Sequence, residues 1–325
     1  RIIRQLKAEG VGIVYISHKM DELKEISDRV TVMRDGRVVF RAETAETSRR
    51  ELARAMVGRD MEHRYPKRSP QIGDVIFEVR DWNVYHQVHA ERQVIKNVNL
   101  KLRKGEILGI AGLMGAGRTE LAMSIFGRSY GQRISGSAFL HGRQIDVSTI
   151  EKAVANGLAY VTEDRKGYGL VLHEDIKKNI SLANLAGVSQ ATVIDDAKEF
   201  SVARDFKSKL NIRCSNVFQQ VVNLSGGNQQ KVVLSKWLFS EPEVLILDEP
   251  TRGIDVGAKY EIYTIIDKLA AEGKGIIMIS SEMPELLGMC DRICVMNEGA
   301  FVGEFAAGEA TQEKIMRAIM KDGGH

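Results

Sequence analysis

The chain has 325 residues, more than one ordinary domain needs. Apolar content of 44% and charged content of 27% indicate globular protein, and a net charge of +3 is too small to argue for nucleic acid. No apolar run approaches the roughly 18 residues of a membrane span, no signal-like start is visible, and Cys214, Cys290 and Cys294 give neither a disulfide framework nor zinc spacing.

Residues 2–39 read as helix, strand, helix, strand. The first strand is Gly12–Ser17, apolar on both faces, and His18 follows it. Residues 2–39 recur without gaps at 265–302, and half of the positions are identical. Glu9 and Gly10 match Glu272 and Gly273; Ile16 and Ser17 match Ile279 and Ser280; Asp28 and Arg29 match Asp291 and Arg292. Self-similarity at so long a period means duplicated domains rather than a solenoid. The first copy has no glycine loop and no Asp-Glu strand before it, and the chain begins with Arg1. We therefore read it as the back part of a longer tandem protein, cut inside its first domain. Residues 58–74 hold Pro66, Pro70, two glycines and scattered charges, which reads as a linker.

A strand at Val75–Val79 opens the second domain. The apolar run 106–111 leads into Gly112-Leu113-Met114-Gly115-Ala116-Gly117-Arg118-Thr119. This reads as strand, turn, and a helix starting near Arg118. Glycines let successive N–H groups point at phosphate oxygens, and the helix N-terminus adds partial positive charge. The usual phosphate loop ends in Lys and Ser or Thr, with Lys on the β/γ-phosphates and the hydroxyl on Mg²⁺. Thr119 fits, but Arg118 stands where Lys is usual, a planar fork in place of a compact ammonium. A glycine-rich turn with no ligand is the alternative reading of this loop by itself.

Residues 163–240 read as a mostly helical insertion. It contains Leu224-Ser225-Gly226-Gly227-Asn228-Gln229-Gln230-Lys231. The run 244–247 then reads as a buried parallel strand, ending in Asp248 and Glu249. Carboxylates at such an end sit where open α/β sheets place ligands. Asp248 is placed to hold Mg²⁺ through water, and Glu249 to polarise an attacking water as general base. Residues 241–305 return to the sheet. The tail 311–322 has helical character, with Ile315, Ile319 and Met320 on one face.

Taken in this order and spacing, the glycine loop, Ser225-Gly226-Gly227 and Asp248-Glu249 resemble the nucleotide-binding domain of an ATP-binding-cassette (ABC) protein. Further detail narrows the resemblance: Glu163-Asp164-Arg165-Lys166, the run 248–259, Arg at 118 and Ser281 opposite His18 in the repeat. Together these resemble the second domain of the tandem ATPase subunit of bacterial monosaccharide importers of the ribose, galactose and xylose type. The resemblance covers essentially the whole chain.

It implies an α/β fold: a P-loop NTPase ABC ATPase domain at 75–325, with a mixed sheet core and a helical subdomain. It also implies that residues 1–57 are the C-terminal end of a first such domain. ATP and Mg²⁺ are the implied ligands. Gly112, Gly115, Ala116, Gly117, Arg118 and Thr119 would hold nucleotide, with Thr119 and Asp248 toward the metal. Tyr85 would stack on adenine, with Trp82 as runner-up. Glu163 stands where the family has Gln. His18 matches the family's γ-phosphate histidine. Ser225, Gly226 and Gly227 would cap the γ-phosphate of nucleotide held by the opposite domain. Two unequal sites follow. The efficient one pairs a first-domain glycine loop with His18 and Ser225–Gly227. The slower one pairs Gly112–Thr119, Asp248 and Glu249 with a first-domain signature. The implied partners are membrane permease subunits, indirectly a periplasmic sugar-binding protein, and the first ABC domain of the same polypeptide, with no nucleic acid. The implied location is the cytoplasmic face of the bacterial inner membrane. A ribosome-associated tandem ABC protein should show a long, charged, helical linker, whereas this one is short and broken by two prolines. A purely regulatory nucleotide-binding domain has no need of both Asp248 and Glu249.

Overall fold

The computed structural model describes residues 2–17, 20–34, 36–57 and 64–321. The chain divides into two compact units, residues 1–64 with 255–260, and residues 65–254 with 261–325.

The small unit contains α1 (Ile2–Ala8), α2 (Met20–Ile26), β1 (Arg29–Arg34), β2 (Arg37–Glu43) and α3 (Arg49–Val57). β1 and β2 form an antiparallel hairpin with a bulge between Val32 and Met33. Val30 and Val32 alternate onto one face and pack with Leu52 of α3. The strand expected at Gly12–Ser17 is not formed: the segment carries no regular structure. Val14 and Ile16 are 91% and 93% exposed. The physical reason is pairing. Among the described residues no strand lies beside this segment, so its backbone groups have no ladder to join.

The large unit begins with β3 (Val75–Tyr85) and β4 (Gln93–Arg103), then β5 (Ile107–Gly112) and α4 (Arg118–Ile125). β6 (Gln132–Leu140), β7 (Arg143–Ile145), α5 (Ile150–Ala155) and β8 (Leu158–Val161) follow. The helical portion holds α6 (Ile176–Ser181), a small hairpin of β9 (Ser189–Gln190) and β10 (Val193–Ile194), α7 (Asp196–Lys209) and α8 (Gly226–Leu238). The chain returns through β11 (Val244–Asp248), α9 (Val256–Ala271), β12 (Gly275–Ile279), α10 (Met283–Met289), β13 (Arg292–Asn297), β14 (Ala300–Ala306) and α11 (Gln312–Lys321).

Two sheets organise it. One is antiparallel, in the order β4-β3-β6-β7; the other runs β14-β13-β5-β12-β11-β8. In the second, β13, β5, β12, β11 and β8 pair in parallel, and β14 closes one edge antiparallel. Every residue of β11 and β12 is buried, as expected of parallel strands covered on both faces. The core between the sheets includes Phe77, Trp82, Leu102, Ile110, Ile125 and Ile246. This is the mixed-sheet α/β fold expected, and residues 163–240 carry α6, α7 and α8 with the β9–β10 hairpin.

The internal repeat is structural as well as textual. At one constant offset, α2 corresponds to α10, β1 to β13, β2 to β14 and α3 to α11. The β13–β14 ladder slips between Val295 and Met296, the same two positions as the β1–β2 bulge. Leu52 and Ile315 also correspond, and both are buried. In α11, Ile315 and Ile319 are buried but Met320 is 72% exposed, which corrects its place on the apolar face. Residues 315 and 319 are one helical turn apart, and 320 is rotated about 100° beyond 319.

Of the expected linker, residues 58–63 lie outside the described residues. Arg68 is pinned within the large unit. Its guanidinium donates to Asp267 at 2.8 Å, to Asp291 at 2.9 Å and to the Met289 carbonyl at 2.7 Å. Asp291 in turn accepts the Ile107 N–H at 2.8 Å and so anchors the start of β5. Among the described residues, no helix is long and apolar enough to cross a membrane.

Candidate nucleotide site

The glycine loop links the end of β5 to the start of α4. A Cβ on Gly112 would lie 2.6 Å from the Met296 carbonyl oxygen, so no side chain fits there. Gly115 and Gly117 have φ of +80° and +103°, a region open to glycine at low cost. The loop is held from behind. The Ala116 carbonyl accepts the Gly299 N–H at 2.9 Å, and the Ala116 N–H donates to the Leu113 carbonyl at 3.1 Å. The outer loop residues 113–115 are exposed, and the α4 N-terminus follows directly. Exposed N–H groups beside a helix N-terminus can hold an anion.

Arg118 does not stand free in this loop. Its Nη1 donates to the Ser280 carbonyl at 2.7 Å and lies 3.9 Å from Glu249 Oε1. Asp248, at the end of β11, is completely buried. Its Oδ2 accepts the Tyr160 hydroxyl at 3.1 Å, while Oδ1 is buried with no hydrogen-bond partner. Burial pushes its carboxyl up to about 6, against the downward pull of the Thr119 and Tyr160 hydroxyls. A buried, unpartnered carboxylate oxygen next to Thr119 is the arrangement a hard cation satisfies. Asp248 and Thr119 therefore fit Mg²⁺.

Glu249 sits in a left-handed turn at φ +48°. Its N–H donates to the Ile279 carbonyl at 2.9 Å, and its Oε2 accepts the Ser281 hydroxyl at 3.2 Å. Burial raises its carboxyl above the usual range, opposed by the Ser281 hydroxyl and the Arg118 cation. The sheet order brings these groups to one end: β5, β12 and β11 are adjacent and parallel, so their exits converge.

Of the other expected residues, Glu163 is near enough to Asp248 for its charge to raise that carboxyl. Glu163 is exposed, and its carboxylate accepts Arg252 Nη1 at 2.7 Å. Tyr85 is half-buried at the end of β3, paired between Gln93 of β4 and Gln132 of β6. Trp82 is 1% exposed, and its indole N–H donates to Ser124 Oγ at 3.0 Å. Trp82 is a core residue, which removes it as a candidate for the base. Ser225 caps α8: its hydroxyl takes the Asn228 N–H at 3.4 Å and Asn228 Nδ2 at 3.0 Å. Gly226 and Gly227 open that helix, and a Cβ on Gly226 would lie 2.8 Å from Arg165 Nη2. His18 lies outside the described residues.

Several neighbours were not singled out from sequence. Arg165 donates to the Arg252 carbonyl at 2.9 Å and to Gln229 Oε1 at 3.3 Å, joining three segments. Tyr160 supports Asp248 from β8. Thr251, Ser280 and Glu285 form a buried cluster behind Glu249. Arg165 lies in the 163–166 motif and Ser280 in the repeat, but only packing assigns them partners.

Known proteins resemble this chain in sequence and in fold. Residues 95–252 match the family described as ABC transporter. The chain is 58% identical over 322 residues to the L-arabinose transport ATP-binding protein AraG of Geobacillus stearothermophilus, covering 98% of this chain and 63% of that one. It is 49% identical to the xylose import ATP-binding protein XylG of Thermoanaerobacter pseudethanolicus, covering 97% and 62%. It is 47% identical to a ribose import ATP-binding protein RbsA of Bacillus cereus, again covering 97% and 62%. The chain thus spans less than two thirds of the length of these relatives. A solved nucleotide-free ATP-binding cassette from an ABC transporter superposes with a TM-score of 0.63 at 17% identity, covering 76% of this chain and 96% of that one. The ADP conformation of an ATP-binding cassette superposes with a TM-score of 0.62 at 17% identity, covering 78% and 100%.

Proposed function

The chain carries an ABC transporter ATP-binding domain, and from that premise we propose that it binds ATP with Mg²⁺ and hydrolyses it to drive import of a pentose. The observation that carries the reading is the buried, unpartnered Asp248 Oδ1, next to Thr119 and one residue before Glu249. In this reading Gly112, Gly115, Ala116, Gly117 and Arg118 hold the phosphates. Thr119 and Asp248 hold Mg²⁺, which supplies charge neutralisation on the phosphates when bound. Glu249 orients water and accepts its proton, and its burial-raised carboxyl suits that task. Tyr85 stacks on adenine, and Glu163 stands at the position that contacts Mg²⁺ and water. The pentose assignment rests on the printed names of the relatives, which transport arabinose, xylose and ribose.

The small unit is the end of a first, equivalent domain; the matching hairpin bulges support this. Ser225, Gly226 and Gly227 then face nucleotide held by that domain, and His18 serves the same hydrolytic site. The site built on Arg118 is the slower of the two, because its cation is already bound to the Ser280 carbonyl. The partners are membrane permease subunits and, through them, a periplasmic sugar-binding protein. The location is the inner face of the bacterial membrane. Calorimetric titration of the 325-residue chain with ATP tests the nucleotide reading, and Mg²⁺ should tighten binding. No heat at millimolar ATP would sink it. Co-purification with a polytopic permease tests the importer reading.

A further inference from the structure

One buried side chain joins the two loops that flank the site. Glu285, in α10, is 1% exposed. Its Oε1 accepts the Thr251 hydroxyl at 2.6 Å, and its Oε2 accepts the Ser280 hydroxyl. Thr251 and Ser280 are themselves buried. Thr251 comes two residues after Glu249. Ser280 directly precedes Ser281, whose hydroxyl donates to Glu249.

Ser280 faces both ways. Its carbonyl accepts Arg118 Nη1 at 2.7 Å, and its hydroxyl accepts the Glu282 N–H at 3.0 Å while donating to Glu285. Arg118 is thereby linked to Glu285 through one residue. Glu249 is linked to it twice, through Thr251 and through Ser281 with Ser280. Its left-handed backbone is costly for a non-glycine residue and persists only where the surroundings over-determine it. The Ile279 carbonyl holds one side of this turn, and anchored Thr251 holds the other.

The small unit repeats one half of the device. Ser17 and Glu22 occupy the positions of Ser280 and Glu285, and Ser17 Oγ lies 3.4 Å from Glu22 Oε2.

We propose that Glu285 is a positioning residue, clamping Thr251 and Ser280 so that Glu249 is held opposite Arg118. The inference rests on the hydrolytic reading above, so its test needs an arm that does not depend on turnover. Amide hydrogen exchange followed by mass spectrometry supplies one. In Glu285→Ala, exchange should rise about fivefold or more in both 248–254 and 279–284, and stay unchanged in 226–238. Glu285→Gln keeps the shape and can still bond both hydroxyls, so it should restore protection. Where the chain turns ATP over, Glu285→Ala should lower kcat about tenfold with KM within about twofold, and Glu285→Gln should recover most of it. Unchanged exchange in either loop, or unchanged kcat in an active chain, overturns the proposal. No turnover by the parent chain counts against the hydrolytic reading only, and the exchange arm still decides Glu285. Should Glu285→Ala fail to fold, Thr251→Val and Ser280→Ala each cut one arm. Each should loosen both loops; loosening only its own refutes the clamp.

Discussion

Arg118 and Glu249 face one another across the end of the sheet, Nη1 to Oε1 at 3.9 Å. Neither depends on the other alone. Arg118 is held by the Ser280 carbonyl, and Glu249 by the Ser281 hydroxyl. Consecutive residues after β12 therefore set the cation and the carboxylate. Each side chain is 11% exposed, so their attraction is screened less than that of a surface pair.

Glu249→Gln should separate binding from chemistry. The amide keeps the shape but cannot accept the proton of water. ATP affinity should stay within about threefold, while phosphate release falls about a hundredfold or more. Single-turnover phosphate release checks this. Equal rates would remove Glu249 from the reaction.

Thr119→Val should remove the contribution of Mg²⁺ to nucleotide binding. The hydroxyl is one of two groups proposed for the cation, with Asp248. In the parent chain, EDTA should weaken ATP binding about tenfold, or about 1.4 kcal/mol. In Thr119→Val the two titrations should coincide. A surviving Mg²⁺ effect of the same size would assign the cation elsewhere.

Trp82 and Tyr85 should respond in opposite ways. Trp82→Phe loses the bond to Ser124 and leaves that buried hydroxyl one partner short. It should cost about 1–3 kcal/mol of stability and leave ATP affinity within about twofold. Tyr85→Ala should weaken ATP binding with little loss of stability. Urea unfolding and calorimetry on both variants decide the matter; a Trp82→Phe variant that is stable but no longer binds ATP contradicts the assignment.

Lys236 gives a pH dependence. Its Nζ donates to the Gly169 carbonyl at 2.6 Å, and burial lowers its pKa to about 8 from the usual 10.5. Below pH 8 both states are protonated, and the folded state carries the full desolvation cost. Between about pH 8 and 10.5 the unfolded chain binds more protons than the folded one, so this residue adds stability as pH rises. Lys236→Met lacks that term. The stability of the parent relative to Lys236→Met should increase by on the order of 2 kcal/mol between about pH 7.5 and pH 10. A difference that stays constant with pH would show that the buried ammonium costs nothing.

Residues 11–17 should be an early site of proteolysis. Val14 and Ile16 are almost fully exposed and no ladder protects their backbone. Their counterparts in β12 are buried between β5 and β11. Limited digestion should cut this segment well before any bond in 75–305. Equal resistance would mean that the segment is covered in solution.

Much of this protein is legible in its sequence because local chemistry forces it. Gly115 and Gly117 announce a backbone that only glycine adopts at low cost. The run 244–247, apolar throughout and ending in Asp248 and Glu249, declares a buried strand with carboxylates at its exit. The repeat predicts matching elements, and the matching bulges show that even the ladder register is carried by it. Sequence failed where the outcome depends on distant neighbours. Gly12–Ser17 has the same apolar character as β12, yet a strand needs a strand beside it. Met320 follows the apolar face of α11 by composition but not by angle. Tyr85 led and Trp82 followed as candidates for the base, and only packing shows that Trp82 is core. The partners of Arg118 and Asp248, and the Thr251 bond of Glu285, belong wholly to tertiary structure. Residues separated by as many as 162 positions meet there because β5, β12 and β11 end side by side. Residue types fix which groups can accept a proton, a phosphate or a cation, but only the folding of three strands to one edge fixes which of them share a site.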